Sequence, residues 1–192
     1  MSIGEILLKY DTDKNKGFID NTPGMEHFYG GIYGDIFKNF DIKQNVSILE
    51  IGVQKGGSLL AWKEYFKNAY VCGVDIIDCR TEEYKSDDVN FILSDIRNPN
   101  LKNDNLLSNK LFDIIIDDGS HHLEDAIFVV QNYLDSLSIN GYMIIEDCQN
   151  PEEWIDCISS IVDTEFYEIL FADLRHVNGN YDDFLIVVKR IK

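Results

Sequence analysis

The sequence predicts an α/β fold built on a doubly wound seven-stranded sheet, mostly parallel and finished by an antiparallel C-terminal hairpin. Three observations carry that reading. Seven short runs rich in β-branched and aromatic residues recur along the chain, stretches with helical spacing separate them, and the ends of the first five runs are rich in glycine or acid. With 192 residues, the chain is long enough for one such domain and too short for a second of equal size. A hydrophobic content of 45% beside 27% charged residues argues against disorder.

The runs are Val46–Val53, Tyr70–Asp75, Asn90–Leu93, Phe112–Asp117, Tyr142–Glu146, Phe166–Phe171 and Phe184–Lys189. Several are apolar almost throughout, as strands are when helices cover both faces of a parallel sheet. Ahead of the first, Met25, Phe28, Tyr29, Ile32, Tyr33, Ile36, Phe37 and Phe40 keep helical spacing. Gly30, Gly31 and Gly34 weaken that helix by about 1 kcal/mol each relative to alanine. After the fourth run, Leu123, Ala126, Ile127, Val130, Tyr133, Leu134 and Leu137 form the clearest helical face, behind an acidic first turn. After the fifth, Asn150 is placed to cap, Pro151 fits the first helical position, and Trp154, Ile155, Ile158, Ile161 and Val162 supply an apolar face. The alternation of strand and helix implies right-handed crossovers. The turn-rich segment from His176 to Asp183 suits an antiparallel return between the last two strands.

Seventeen basic against thirty-four acidic side chains give a formal charge of −17, so the surface repels phosphate backbones and anionic lipids. Nucleic acid and membrane are therefore not the expected partners. The start of the chain, MSIGEILLKYDTDKNK, lacks the pattern of a secretion signal and no run is long enough to span a bilayer, so a cytoplasmic location is expected. Cys72, Cys79, Cys148 and Cys157 include no CxxC pair, and buried free thiols are expected rather than disulfides or zinc.

In an open α/β sheet the ligand lies beyond the carboxyl ends of the strands. Here the first strand ends in LEIGVQKGGS, whose spacing is neither a dinucleotide fingerprint nor a phosphate loop. Gly52, Gly56 and Gly57 let a turn pass close to a bulky ligand, and Glu50 can accept hydrogen bonds from backbone or a cation. On its own this is equally an ordinary tight turn. Asp75, about 20 positions on at the end of the second strand, is placed to accept ribose hydroxyls, and Asp95, at the end of the third, an adenine amine. Together they point to a nucleoside ligand. The fourth and fifth strands end in IIIDDGSHH and IIEDCQ. Asp118, Glu146 and Asp147 are expected to converge on one metal ion, with His121 beside it as a neutral base. Asp117 points the other way from Asp118 along an extended strand, toward the cofactor or a loop.

The run from Leu49 to Ser58, with Asp75 and Asp95, resembles the SAM-binding motifs of class I methyltransferases, over nearly the whole chain. More narrowly, Thr12-Asp13-Lys14, the aromatic segment around His27 to Tyr33, the run from Asp117 to His121, and Ile145-Glu146-Asp147 resemble metal-dependent sugar O-methyltransferases acting on glycosylated natural products. Cephalosporin hydroxylase family proteins share similar motifs. The resemblance implies a Rossmann-like fold, with SAM and Mg²⁺ as cofactors. It further implies cofactor contacts from Thr12, Lys14, Glu50, Gly52, Gly56, Ser58, Asp75, Asp95 and Asp117, metal ligation by Asp118, Glu146 and Asp147, and His121 as catalytic base. It implies that residues 1–45 form a helical segment covering the cofactor pocket of a methyltransferase core at residues 46–192. Methyl transfer to a hydroxyl is an in-line displacement that needs the acceptor oxygen aligned and deprotonated, and a metal with an adjacent base serves both needs.

The expected activity is thus transfer of a methyl group to a hydroxyl of a sugar, sugar nucleotide or glycoside. A catechol-like acceptor is the alternative, because vicinal oxygens of either kind chelate a metal. A non-catalytic SAM-binding partner subunit is the rival from another class. Such a subunit would be expected to lose His121 or a carboxylate, whereas all four residues are present. An oxidoreductase fits poorly, since the glycine spacing is wrong and no Tyr-x-x-x-Lys pair follows the fourth or fifth strand. Tyr29, Tyr33 and Tyr181 can stack on a sugar or pack, as His27 and His176 can contact substrate or pack, and His122 reads as a helix-surface residue. Members of the family the chain resembles carry an extra N-terminal domain, so a lid supplied by a neighbouring subunit, and with it a homo-oligomer, is an open expectation.

Overall fold

Local capping starts the chain. In the computed structural model, which describes residues 1–15, 27–42 and 44–192, Ser2 and Glu5 form a capping box at the head of α1 (Ile3–Lys9). The Ser-x-x-Glu pattern was present in the sequence, yet α1 is too short to show a helical period. A 3₁₀ turn at Asp13–Asn15 follows. The aromatic helix is α2 (Gly30–Phe37), shorter at both ends than its spacing suggested; Met25 lies outside the described residues.

The sheet comprises β1 (Ser47–Ile51), β2 (Tyr70–Asp75), β3 (Asn90–Leu93), β4 (Phe112–Asp117), β5 (Leu137–Ile145), β6 (Tyr167–Asp173) and β7 (Phe184–Arg190). Their order across it is β3-β2-β1-β4-β5-β7-β6. The first five strands are parallel, and β7 returns antiparallel between β5 and β6. The seven-stranded, mostly parallel sheet with an antiparallel C-terminal hairpin is the architecture the sequence predicts. The chain reverses direction across the sheet at β1 and β4, the switch point where ligands enter such folds.

Alternate residues of the strands build two cores. Ile48, Val71, Ile114, Ile116, Ile144 and Val187 join α1, α2 and α3 (Gly57–Tyr65) on one face. Leu49, Cys72, Ile115, Met143, Ile145 and Val188 join α4 (Leu123–Tyr133) and α5 (Pro151–Ile161) on the other. This is the period of two of a pleated strand, with a helical layer on each side. Trp62, Phe37 and Phe66 are fully buried in the first core, and ring pairs such as Phe37 with Trp62, 5.5 Å apart, lock α2 onto α3.

Several boundaries differ from the sequence reading. Leu137, read as the last apolar position of a helix, instead opens β5 opposite Phe112. The helix stops at Tyr133 and a 3₁₀ turn, Leu134–Ser136, redirects the chain. Periodicity could not see this because Leu137 is buried in either role. Val46, Gly52 and Val53 flank β1 rather than extend it. Asn150 precedes Pro151 at the head of α5, but its side chain makes no capping hydrogen bond. The segment between β6 and β7 contains the short helix α6 (Arg175–Asn178). No helix among the described residues is long and apolar enough to cross a membrane.

All four cysteines are free. Cys72 and Cys148 are buried as expected, whereas Cys79 is exposed and Cys157 half-buried. Burial pushes the Cys72 thiol up to about 12, and Cys148 likewise upward. Titration with a disulfide reagent at neutral pH should therefore modify Cys79 quickly and Cys72 and Cys148 only after denaturation. Rapid loss of the Cys72 thiol in native protein would contradict this packing.

Candidate active site

The site is built where β1, β4 and β5 end. Gly52 leaves β1 with φ of +81°, and a Cβ there would stand 1.9 Å from the carbonyl oxygen of Asp118. Only glycine permits both the conformation and the approach. The backbone amide of Asp118 in turn donates to Ile51 at 2.9 Å, so the glycine turn and the β4 loop are held against each other. Three side chains beyond these strands, Gln54, His121 and Asp147, have positive φ values of 48°, 55° and 57°. Left-handed backbone at a non-glycine residue costs about 1–3 kcal/mol and concentrates at functional sites.

Asp75 braces the glycine turn from β2. One carboxylate oxygen accepts the amides of Val53 at 2.8 Å and Gln54 at 3.1 Å, and the other that of Ile77 at 3.1 Å. It remains half-buried at the mouth of the turn. Asp95 is exposed beyond β3 and accepts the amide of Arg97. Thr12, Lys14, Gly56 and Ser58 line one narrow pocket with Asp118. Glu50, by contrast, is wholly buried beneath that pocket, accepting Trp62 Nε1 at 2.8 Å.

Lys14 occupies the centre. Its side chain is 2% exposed, and Nζ donates to Asp118, to Glu146 Oε2 at 2.6 Å, and lies 3.5 Å from Glu50 Oε1. Burial works against the ammonium charge, but the carboxylates of Asp118 and Glu146 outweigh it and hold its pKa well above the ordinary lysine range. One ammonium cannot balance three acids. Burial, then mutual repulsion, pushes Asp118 and Glu146 above the usual carboxylate range despite Lys14, and burial does the same to Glu50. The cluster therefore holds more buried acid than it has cation to match.

The predicted trio of carboxylates is only partly assembled. Asp118 and Asp147 approach each other with His121 between them. His121 Nε2 is 3.9 Å from Asp118 Oδ1 and Nδ1 is 3.6 Å from Asp147 Oδ2, with ligand atoms of all three residues within 4.8 Å of one another. His121 Nδ1 is buried without a hydrogen-bond partner. Glu146 instead turns to Lys14 and to the hydroxyl of Tyr33, which donates to it. Its neighbour Asp147 adopts left-handed backbone and accepts the Tyr29 hydroxyl. Asp117 faces away, lining a small cavity with Ser120, His121, Asp125 and Trp154, and burial pushes it up to about 7. Next to it, an open cleft of about 590 Å³ runs between the heads of α4 and α5, past His121, His122, Asn150 and Trp154.

Sequence reasoning missed the donors. Tyr29 and Tyr33 were visible as members of an apolar helical face, able to stack on a sugar or to pack, yet each is fully buried with its hydroxyl on a site carboxylate. Their partners lie 118 and 113 residues away, beyond any local signal. Lys14, assigned to the cofactor by resemblance, lines the glycine-turn pocket, and its Nζ is held by acids on β1 and just beyond β4 and β5. His27 and Asp183 also meet here. The ring pairs with Asp183, and although burial opposes its charge, Asp183 and Asp147 hold it up at about 9.

No family model matches the chain. It is 32% identical over 130 residues to 8-demethyl-8-alpha-L-rhamnosyl tetracenomycin-C 2'-O-methyltransferase of Streptomyces olivaceus, covering 64% of this chain and 34% of that protein. It is 27% identical over 202 aligned positions to L-olivosyl-oleandolide 3-O-methyltransferase of Streptomyces antibioticus, covering 86% and 46%. Among solved structures, MycE methyltransferase from the mycinamycin biosynthetic pathway, in complex with Mg and SAH, superimposes with a TM-score of 0.75 at 23% identity. That match takes in all of this chain and 55% of MycE. The chain is thus related in sequence to sugar O-methyltransferases of natural-product assembly, and it has the class I SAM-dependent methyltransferase fold. It spans between a third and a half of the length of these two curated relatives.

Removing the central cation tests this electrostatic arrangement. Lys14→Met should lower unfolding free energy in urea by about 3–5 kcal/mol, because it strands buried carboxylates. Lys85→Met, which breaks an exposed pair with Glu82, should leave it essentially unchanged.

Proposed function

We propose that the chain catalyses SAM-dependent methyl transfer to a hydroxyl of a sugar or glycosylated small molecule, assisted by Mg²⁺. The observation that carries the proposal is the meeting of Asp118, His121 and Asp147 beside the glycine-turn pocket, in a cluster with more buried acid than Lys14 neutralises. The relatives, named for 2'-O- and 3-O-methylation of sugar-bearing compounds, supply the acceptor class. MycE, whose complexes contain Mg, SAH and mycinamycin VI, supplies the cofactors.

The residues present suit these groups. Mg²⁺ prefers oxygen ligands, so Asp118 and Asp147 would hold it, with Glu146 adjacent and pinned by Lys14 and Tyr33. When bound, SAM supplies an electrophilic methyl group, and the metal orients the acceptor oxygen and stabilises its negative charge. The imidazole of His121, a poorer ligand for so hard an ion, accepts the hydroxyl proton. Gly52 and Gly56 let the turn lie close to the cofactor, with Thr12, Lys14 and Ser58 along the same pocket. Asp75 and Asp95 receive its ribose and adenine, and Asp117 shapes the far wall. Glu50 acts from beneath by holding Lys14 and Trp62. Residues 1–45 cover the pocket and residues 46–192 form the core. The open cleft between α4 and α5 passes His121 and has room for an acceptor.

Calorimetry with SAM and methyl-transfer assays on a panel of sugar nucleotides and glycosides test the proposal together. Wild type should bind SAM and turn over only with Mg²⁺. His121→Ala should keep SAM affinity while losing about 10²–10⁴-fold in kcat, and Asp118→Asn should lose the response to Mg²⁺. Absence of SAM binding would overturn the methyltransferase reading, and metal-independent turnover would remove the ion from it.

A further inference from the structure

We propose that His27, Asp182 and Asp183 form a second divalent-cation site, distinct from Asp118 and His121 and adjoining them through Asp147. One potential ligand atom from each of these three residues lies within 4.8 Å of the other two. The cluster is not surface acid. Asp183 is wholly buried and His27 is 9% exposed, while Asp182 is half-buried. His27 Nδ1 meets one carboxylate oxygen of Asp183, and the other oxygen, Oδ2, is buried with no partner. A simple His–Asp ion pair accounts for the first oxygen and leaves the second, with Asp182 beside it, uncompensated. A buried, unpaired carboxylate oxygen is costly, and a cation removes that cost.

The fold explains how the residues meet. Asp182 and Asp183 immediately precede β7, and the Phe184 carbonyl accepts the amide of Cys148, which sets this corner against the end of β5. Asp147 stands between the two clusters, with Oδ1 3.6 Å from His27 Nδ1 and Oδ2 3.6 Å from His121 Nδ1. One imidazole nitrogen with two carboxylates favours a transition ion such as Mn²⁺ or Zn²⁺ over Mg²⁺. A two-cation arrangement sharing the neighbourhood of Asp147 extends the proposed function but does not depend on it, because neither Asp182 nor Asp183 belongs to the proposed Mg²⁺ site.

Titration of the full chain with Mn²⁺ alone, followed by calorimetry and by the loss of the free-ion paramagnetic resonance signal, tests the site. Wild type should bind two equivalents. Asp118→Asn should remove one, and Asp183→Asn and Asp182→Asn should each remove the other. Since Asp183 is buried, circular dichroism checks its variant for folding, and half-buried Asp182 carries the test if that variant fails. No binding in wild type, or binding that survives in full in both Asp182→Asn and Asp183→Asn, would overturn the second site. An equivalent sensitive to Asp182→Asn without one sensitive to Asp118→Asn would uphold it while removing the Mg²⁺ site from the proposed function.

Discussion

The ion cluster around Lys14 is the constraint on which the catalytic end of the molecule depends. Nζ reaches carboxylates 104 and 132 residues downstream, so three strands and the N-terminal segment are joined at one atom. A buried ion pair of this kind adds little net stability over apolar packing, because desolvation consumes most of the attraction. Its effect here is arrangement. The ammonium ties the 3₁₀ turn after α1 to the strand ends, and the Lys14 carbonyl accepts the amide of Tyr29, whose hydroxyl meets Asp147 as that of Tyr33 meets Glu146.

Around that cluster, the sheet places the chemistry and the loops supply the shape. Parallel strands bring the ends of β1, β4 and β5 side by side, and the amides of Asp118 and Glu146 bond to the carbonyls of Ile51 and Asp117 on neighbouring strands. The loops then depart from ordinary backbone at Gln54, His121 and Asp147, each with positive φ. The rigid sheet over-determines these conformations, which is how strain persists at a site. The outer partners matter as much, because a carboxylate fixed by a phenol or an ammonium presents its remaining oxygen in a defined direction.

The relatives bear on the same geometry. MycE superimposes over the whole of this chain while extending well past it, so the shared part is the sheet, its helices and the strand-end loops. The two curated relatives are likewise more than twice as long as the part matched.

The amino-acid sequence by itself determined the α/β class, the seven strands and the acidic ends of the strands, because apolar period and turn chemistry act over a few residues. It also led us to expect Asp117 and Asp118 to face apart, and the two line different pockets. Leu137 escaped it, being equally apolar at the end of a helix and the start of a strand. Only the tertiary structure decided that Lys14 sits among Glu50, Asp118 and Glu146, that Tyr29 and Tyr33 end on carboxylates, that Glu146 turns from Asp147, and that His27 meets Asp183. Those contacts join residues more than 35 positions apart, and nothing local in a sequence specifies which distant acid a buried donor will reach. That choice is made when two faces of the sheet close and every buried polar group must find a partner or bear the cost of lacking one.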